Sequence, residues 1–311
     1  MTLIVVEAPG LFTTVQDLGR EGYGPMGVSP SGAADPISLR IGNLLVGNPD
    51  GAAALEMTLV GGTFTFQGAA IIAVTGADFG PSLNGSPLPT WTSIVIEQGQ
   101  TVTLGPSRSG ARAYLCIQGG ISVEPFLGSA STHVLSGLGG FQGRALRKGD
   151  QVEFGAAKAR FRKRALSRDA LQSFQPRKVI RVTDGLQSEW FAASAWKIFC
   201  ESTYRVSEQS NRMGIRLAGP PIPLDASREM ITEGVSLGAI QAPPSGQPII
   251  LFVEQQTTGG YPKIANVISA DLHSLGQLRP RDEVRFERIG MSEARSSLIR
   301  QEALLRELFQ E

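Results

Sequence analysis

The chain has 311 residues, 41% of them hydrophobic and 18% charged, with 29 basic side chains against 28 acidic ones. That balance excludes a disordered chain and a globally basic nucleic-acid binder, and the length suits two domains. With 37 glycines, 19 prolines and only 7% aromatic residues, the chain calls for many turns and few long helices.

The N-terminal "MTLIVVEAPG" has neither a basic leader nor a long apolar stretch, so it reads as a strand and not as a signal peptide. No apolar run approaches the ~20 residues of a membrane helix, and the cytoplasm is the expected location. Short apolar or β-branched runs then recur between Gly/Pro turns: "TLIVVE" (2–7), "AAIIAVTG" (69–76), "SIVIEQGQTVTLG" (93–105), "RAYLCIQGG" (112–120), "KVIRVT" (178–183) and "PIILFVEQQ" (248–256). This spacing predicts a mainly β protein of sandwiches or barrels. Helices are expected at 35–46, where Asp35 can cap and Pro36 takes the first helical position, and at 187–198. A C-terminal helix over 291–311 is expected with Ser292 as its cap and Ala294, Leu298, Leu305 and Leu308 along one face.

Between Lys158 and Arg181 there are nine Lys/Arg and one acid, Asp169. Only Phe161 and Phe174 stand among the charges, too few to interleave them regularly, so the segment reads as a solvated linker and not as a nucleic-acid site. An internal repeat sets the boundary: "LRKGDQVEF" (146–154) and "LRPRDEVRF" (278–286) align at an offset of 132 residues, placing Asp150 with Asp282 and Gly128 with Gly260. The division expected is a β domain over 1–160, a basic linker over 161–175, a second β domain over 176–290 and the terminal helix.

Cys116 and Cys200 stand alone in apolar contexts, so they read as buried free thiols with no disulfide framework or thiolate cage. Only two histidines exist, His133 and His273, with no HxH or HExxH spacing and no GxSxG elbow, which argues against a zinc site and against serine–histidine hydrolysis. "GLGGFQGR" (137–144) is glycine-dense but lacks the strand–loop–helix context of a phosphate loop, and reads as an irregular β connection.

Three clusters are more polar than a turn requires. "TTVQDLGREGYGPMGVSPSGAAD" (13–35) offers Gln16, Asp17, Arg20, Ser31 and Asp35 around repeated glycines. "SEQSNRMGIRL" (207–217) carries Arg212. "TEGVSLGAIQAPPSG" (232–246) and "EQQTTGGYPKIANVI" (254–268) together supply Glu233, Gln241, Gln256, Thr257, Thr258, Tyr261 and Lys263. Glutamine both donates to and accepts from an amide, and Lys and Arg fix carboxylate or phosphate. The same residues could instead satisfy loop backbone groups, and spacing alone leaves both readings open.

These motifs, with "NLLVGNPDGAAALEMTLVGG", "SNRMGIRLAG", "EGVSLGAIQAPPSGQPIIL" and "QQTTGGYPKIANVISADL", resemble the biotin-dependent carboxyltransferase family, also called the KipA or allophanate hydrolase subunit 2 family, which includes the C component of 5-oxoprolinase. The resemblance runs over residues 3–288. It implies two cyclophilin-like β-barrel domains and a direct partner, the KipI-like subunit, with a LamB/YcsF-like subunit completing the complex. It implies one component of an ATP-dependent 5-oxoprolinase, inactive alone, that opens 5-oxoproline to L-glutamate, with ATP and Mg2+ used by the complex and no biotin attached to this chain. A carboxyltransferase moving a carboxyl group from carboxybiotin to urea, or a regulatory module binding a KipI-like partner, are the alternatives. The sequence departs from the family where Pro-Gly-Asp becomes Pro280-Arg281-Asp282, where an aspartate becomes Glu254, and where Gly-Pro-Gln becomes Gly185-Leu186-Gln187. On the implied activity, Gln241, Gln256, Thr257 and Thr258 hold the lactam or its carboxylate. Lys263, Arg212 and Arg20 offset phosphate charge, Asp17 or Glu233 handles a proton or a metal ion, and Gln16, Ser31, Asp35 and Tyr261 complete the substrate set. Lys263, Asp17 and Glu233 are the catalytic candidates.

Overall fold

The structure is a computed structural model that describes residues 2–155, 162–224 and 230–308. The chain divides into two compact units, one built on residues 1–20 and 31–175, the other on residues 21–30 and 176–305.

In the first unit, β1 (Leu3–Ala8) buries Ile4 and Val6 and turns Glu7 outward, the period of two that a pleated strand imposes. After β2 (Phe12–Gln16) the chain makes a long loop and enters α1 (Pro36–Val46), then β3 (Ala54–Thr58), β4 (Thr63–Phe66), β5 (Ala70–Asp78), β6 (Ser82–Leu83), β7 (Ser86–Pro87), β8 (Ile94–Ile96), β9 (Thr101–Thr103), β10 (Ser109–Ile117) and β11 (Gln151–Glu153). These strands form a six-stranded sheet in the order β11-β1-β4-β9-β6-β7 and a five-stranded sheet in the order β2-β3-β10-β5-β8. Ile4, Phe64, Phe66, Val102 and Val152 from the first sheet share one core with Val15, Leu55, Ile72, Val74 and Leu115 from the second. Each such side chain contributes about 1.5–3 kcal/mol by leaving water.

β5 and β10 read as unbroken apolar runs because they are covered on both faces: the shared core lies on one side and α1 on the other. α1 starts where Asp35 accepts from Ser38 N at 3.0 Å and from Ser38 Oγ at 2.6 Å, and ends at Gly47 in the left-handed region. A buried network beneath it ties the preceding loop to the sheet. Tyr114 donates to Glu56 Oε2 at 2.7 Å, while Ala34 N and Asp35 N donate to Glu56 Oε2 and to Tyr114 Oη. Burial pushes the Tyr114 phenol well above its ordinary value.

The second unit is a closed barrel of β12 (Val179–Asp184), β13 (Tyr204–Val206), β14 (Gly214–Ala218), β16 (Ala239–Gln241), β17 (Ile249–Leu251), β19 (Lys263–Val267) and β20 (Glu283–Arg288). Their order is β12-β19-β16-β17-β14-β13-β20, and the parallel pairing of β12 with β20 closes the ring. Two further short strands, β15 (Glu233–Gly234) and β18 (Thr258–Gly259), pair with each other outside it. Phe199 stacks on Phe286 of β20 at 4.4 Å and meets Tyr204 of β13 at 6.2 Å, and burial pushes the Tyr204 phenol up to about 12.

The repeat is structural at its turn. Arg147 N donates to Asp150 Oδ2 at 2.7 Å and Arg279 N to Asp282 Oδ2 at 2.8 Å. Val6 N reaches Asp150 O and Val206 N reaches Asp282 O, both at 2.9 Å. Gly149 has φ +87, and Arg281, at the matching place, has φ +74, so the departure from glycine falls on a left-handed position. The loops after Gly128 and Gly260 differ. The second leads into the full barrel strand β19, whereas residues 129–132 run beside β2 without forming a strand.

Several expectations shift. The helix expected at 187–198 is a single 3-10 turn at Ser188–Trp190 followed by α3 (Ala193–Glu201), because Ala192 is extended (φ −60, ψ 160). "SIVIEQGQTVTLG" is not one strand, since β8 joins the five-stranded sheet and β9 the six-stranded one. Ser292 is not the terminal helix cap: Ala294 N donates to Gly290 O, and the helix already holds Met291. Cys116 is buried, as expected, but Cys200 is only half-buried. The start of the basic run, with Lys158 and Arg160, lies outside the described residues. Its described part is bound to the first unit, with Ser93 N donating to Arg164 O and Arg164 Nη1 donating to Leu44 O, before the short α2 (Arg168–Ser173). A later short helix, α4 (Leu272–Gly276), precedes β20, and the chain ends in α5 (Met291–Glu307).

Candidate functional site

The loop at 252–262 is built from two halves. In the first half, Phe252 N donates to Met213 O and Glu254 N to Arg212 O, fastening the loop to the turn at 211–213. The side chains repeat the bond: Arg212 Nε lies 2.5 Å from Glu254 Oε1, at 7% and 5% exposure. In the second half, Gly259 pairs with Glu233 and Thr258 with Gly234, so β15 and β18 make a two-residue ribbon.

Lys263 opens β19 and is 1% exposed. Its ammonium lies 2.5 Å from Glu233 Oε1, and Gln187 Nε2 donates to the same oxygen at 2.9 Å. Gln187 also brackets the Lys263 backbone, accepting from Lys263 N at 3.2 Å through its side chain and donating to Lys263 O at 3.3 Å through its own N–H. Lys263, and then Gln187, hold the Glu233 carboxyl below its ordinary value. The Glu233 side chain is 39% exposed, so this pair is worth ~1 kcal/mol or less, unlike the buried Arg212–Glu254 pair.

Gln241 is the register partner of Lys263 on β16, and it is 1% exposed. Its Nε2 has no hydrogen-bond partner. A methyl on Gly259 would stand 2.5 Å from that nitrogen, so only glycine leaves the amide its room. Gln256 and Thr258 are exposed and Thr257 half-buried on the same loop, with Tyr261 44% exposed. The structure therefore brings Lys263, Glu233 and Gln241 together, with Gln256, Thr257, Thr258 and Tyr261 on the adjoining loop. Arg212 is engaged with Glu254.

The other candidates lie in the first unit. Asp17 Oδ1 accepts from Gly19 N and Ser129 Oγ at 2.7 Å each and from Ser131 Oγ at 2.5 Å, and Oδ2 accepts from Ala130 N at 2.7 Å. Three donors gather on Oδ1 and one on Oδ2, so the geometry makes Asp17 the anchor of this loop pair. Gln16 Nε2 donates to Thr14 Oγ1 and Thr132 O. Ser31, at φ 57, donates to Thr132 O at 2.7 Å. Arg20 donates to Phe126 O at 3.3 Å and to Ser131 O, and lies over the Phe126 ring. Asp35 is spent on capping α1. All five stitch residues 16–35 to residues 126–132 or start a helix.

His133 caps a 3-10 turn by accepting from Ser136 N, and Arg144 is bound to Asp150 at 2.7 and 2.9 Å, which holds that carboxyl low. Among the described residues no three His, Cys, Asp or Glu side chains gather as a metal set would. Sequence reasoning missed Gln187 and Glu254 as site members, and Ser129 and Ser131 as the partners of Asp17. Gln187 and Glu254 were visible only as places where the family pattern changes or persists, and their partners are 76 and 42 positions away in sequence.

The fold is mostly β, with a closed barrel that sets a buried lysine beside glutamines. The chain belongs to the carboxyltransferase domain family, subdomains A and B, whose model matches residues 26–288. It is 38% identical over 290 residues to the C component of 5-oxoprolinase from Escherichia coli K12, covering 92% of this chain and 91% of that protein. It superposes on the crystal structure of TTHA0988 with a TM-score of 0.82 and 34% identity over 92% of this chain, spanning 56% of that one. It superposes on the K. lactis urea amidolyase with a TM-score of 0.92 and 31% identity over 99% of this chain, spanning a fifth (20%) of that protein.

Proposed function

We propose that this chain is the C component of an ATP-dependent 5-oxoprolinase, acting with a KipI-like subunit and a LamB/YcsF-like subunit to open 5-oxoproline to L-glutamate. The observation that carries the reading is the match to the E. coli C component, which takes in nine-tenths of both chains, 92% and 91%. The site agrees in chemistry. The lactam ring offers an amide carbonyl and a carboxylate, and Gln241 and Lys263 offer a buried amide donor and a buried cation. Within the complex, ATP supplies the phosphoryl group that turns the resonance-stabilised lactam oxygen into a leaving group. The residues of this chain hold the ring: Lys263 offsets negative charge as it develops, and the glutamines orient the amide. The cytoplasm is the compartment this reading implies; no described helix is long and apolar enough to cross a membrane.

Transfer of a carboxyl group from carboxybiotin to urea is the second reading, favoured by the 0.92 TM-score with the urea amidolyase. Co-purification with the KipI-like and LamB/YcsF-like subunits, followed by 5-oxoproline-dependent ADP release, tests the first reading. The expected result is release that falls at least about a hundredfold with Lys263→Ala, on the scale of losing one charge-stabilising group. A Lys263→Ala complex that assembles and keeps full turnover removes Lys263 from the mechanism. A complex that assembles without any turnover leaves the regulatory, KipI-binding role.

A further inference from the structure

We propose that Lys263 and Gln187 form a carboxylate-binding subsite that Glu233 occupies in the unliganded protein, and that a substrate carboxylate binds by taking Glu233's place. The inference rests on the proposed function in placing Lys263 at the substrate site, and adds to it a second role, holding the substrate's carboxylate before reaction.

A cation and a donor meet at one carboxylate oxygen, Glu233 Oε1: Lys263 Nζ forms an ion pair with it at 2.5 Å without hydrogen-bond geometry, and Gln187 Nε2 donates to it at 2.9 Å. The donors are fixed without Glu233. Lys263 is on a barrel strand, and its backbone N–H occupies the Gln187 side-chain oxygen, so the amide NH2 must face the other way, toward the anion. The acceptor is held differently. Glu233 is on a two-residue strand paired only with Thr258–Gly259, and its side chain is 39% exposed, so it can swing into water without disturbing the barrel. A half-exposed ion pair is weak and therefore cheap to exchange. The exchange replaces one carboxylate by another and leaves no charge unpaired, which avoids the cost of stranding a buried ammonium.

Gln241 gives an independent pointer to a ligand. It is 1% exposed, with an Nε2 that lacks an acceptor, and that nitrogen faces Gly259, the residue paired with Glu233. A buried donor left unsatisfied destabilises the empty protein, and a ligand carbonyl delivered beside the carboxylate relieves it. The subsite thus selects a small anion with a carboxylate and a neighbouring amide carbonyl. A neutral amide such as urea has nothing with which to displace Glu233.

Titration calorimetry of the full chain with acetate, L-5-oxoproline, 2-pyrrolidinone and urea tests this. Glu233→Gln and Glu233→Ala are expected to bind acetate and L-5-oxoproline about tenfold or more tightly than the parent chain, with 2-pyrrolidinone and urea unchanged. Lys263→Met should abolish the gain. Equal acetate affinity in the parent chain and both Glu233 variants overturns the proposal, as does an equal gain for 2-pyrrolidinone. A gain for acetate without one for L-5-oxoproline keeps the subsite and removes the 5-oxoprolinase reading. Absence of turnover in the reconstituted complex alongside an acetate gain separates the two in the same way.

Discussion

At the scale of single residues, two cations flagged together in the sequence have different fates. Arg212 meets Glu254 with both side chains buried, and Lys263 meets Glu233 with one partner at the surface. Replacing Arg212 by alanine leaves the Glu254 carboxylate buried and unpaired, at a cost of about 3–5 kcal/mol. Denaturant unfolding should register that loss, and the double variant Arg212→Met/Glu254→Leu should recover much of it. A loss below ~1 kcal/mol in the single variant would place the pair in the surface class. The residue types of the site were legible in sequence, since glutamines and a lysine in a turn exceed what a turn needs. Their partners were not. Asp17 advertises itself as an acid, and only the positions of Ser129, Ser131 and the Ala130 amide show that it ties two loops together.

At the scale of elements, the helix at Pro36–Val46 was legible because its signals are local: a capping aspartate and a proline at the first position. The segment after Gln187 was not, because partners distant in sequence shape it: Gln187 bonds to Lys263, and the extended Ala192 splits the segment into a 3-10 turn and α3. Strand limits such as Ile249–Leu251 were overdrawn for the same reason, since partners and not propensity end a strand. The repeated turn offers a test of strain. Gly149 has open space around its Cα, so Gly149→Ala adds no clash, only a left-handed alanine, and should cost about 1 kcal/mol. Arg281→Gly should gain up to about 1 kcal/mol by relieving the same strain, less the small value of the exposed Arg281–Glu208 pair. Thermal midpoints moving in opposite directions are the expected outcome. A fall in both would mean that the arginine's contacts outweigh its backbone strain.

At the scale of the whole molecule, a chain of ordinary composition is organised as two units, each with its own core. The first closes two sheets around Phe64 and Phe66, and the second closes a ring of strands in which Phe286 stacks against Phe199 of α3. Each core also encloses one tyrosine, Tyr114 in the first and Tyr204 in the second. Both phenols are raised above the ~10 of an exposed tyrosine, and such groups cost stability as alkali rises past that value, because the unfolded chain sheds the proton first. The molecule therefore carries one optical reporter per core. In an alkaline spectrophotometric titration, the phenolate absorbance of Tyr114 and Tyr204 should emerge late and in step with opening of the unit that holds each, and Tyr204→Phe should erase the second unit's share alone. Reversible ionisation of all four tyrosines near pH ~10, with the fold intact, would show that neither phenol is sealed.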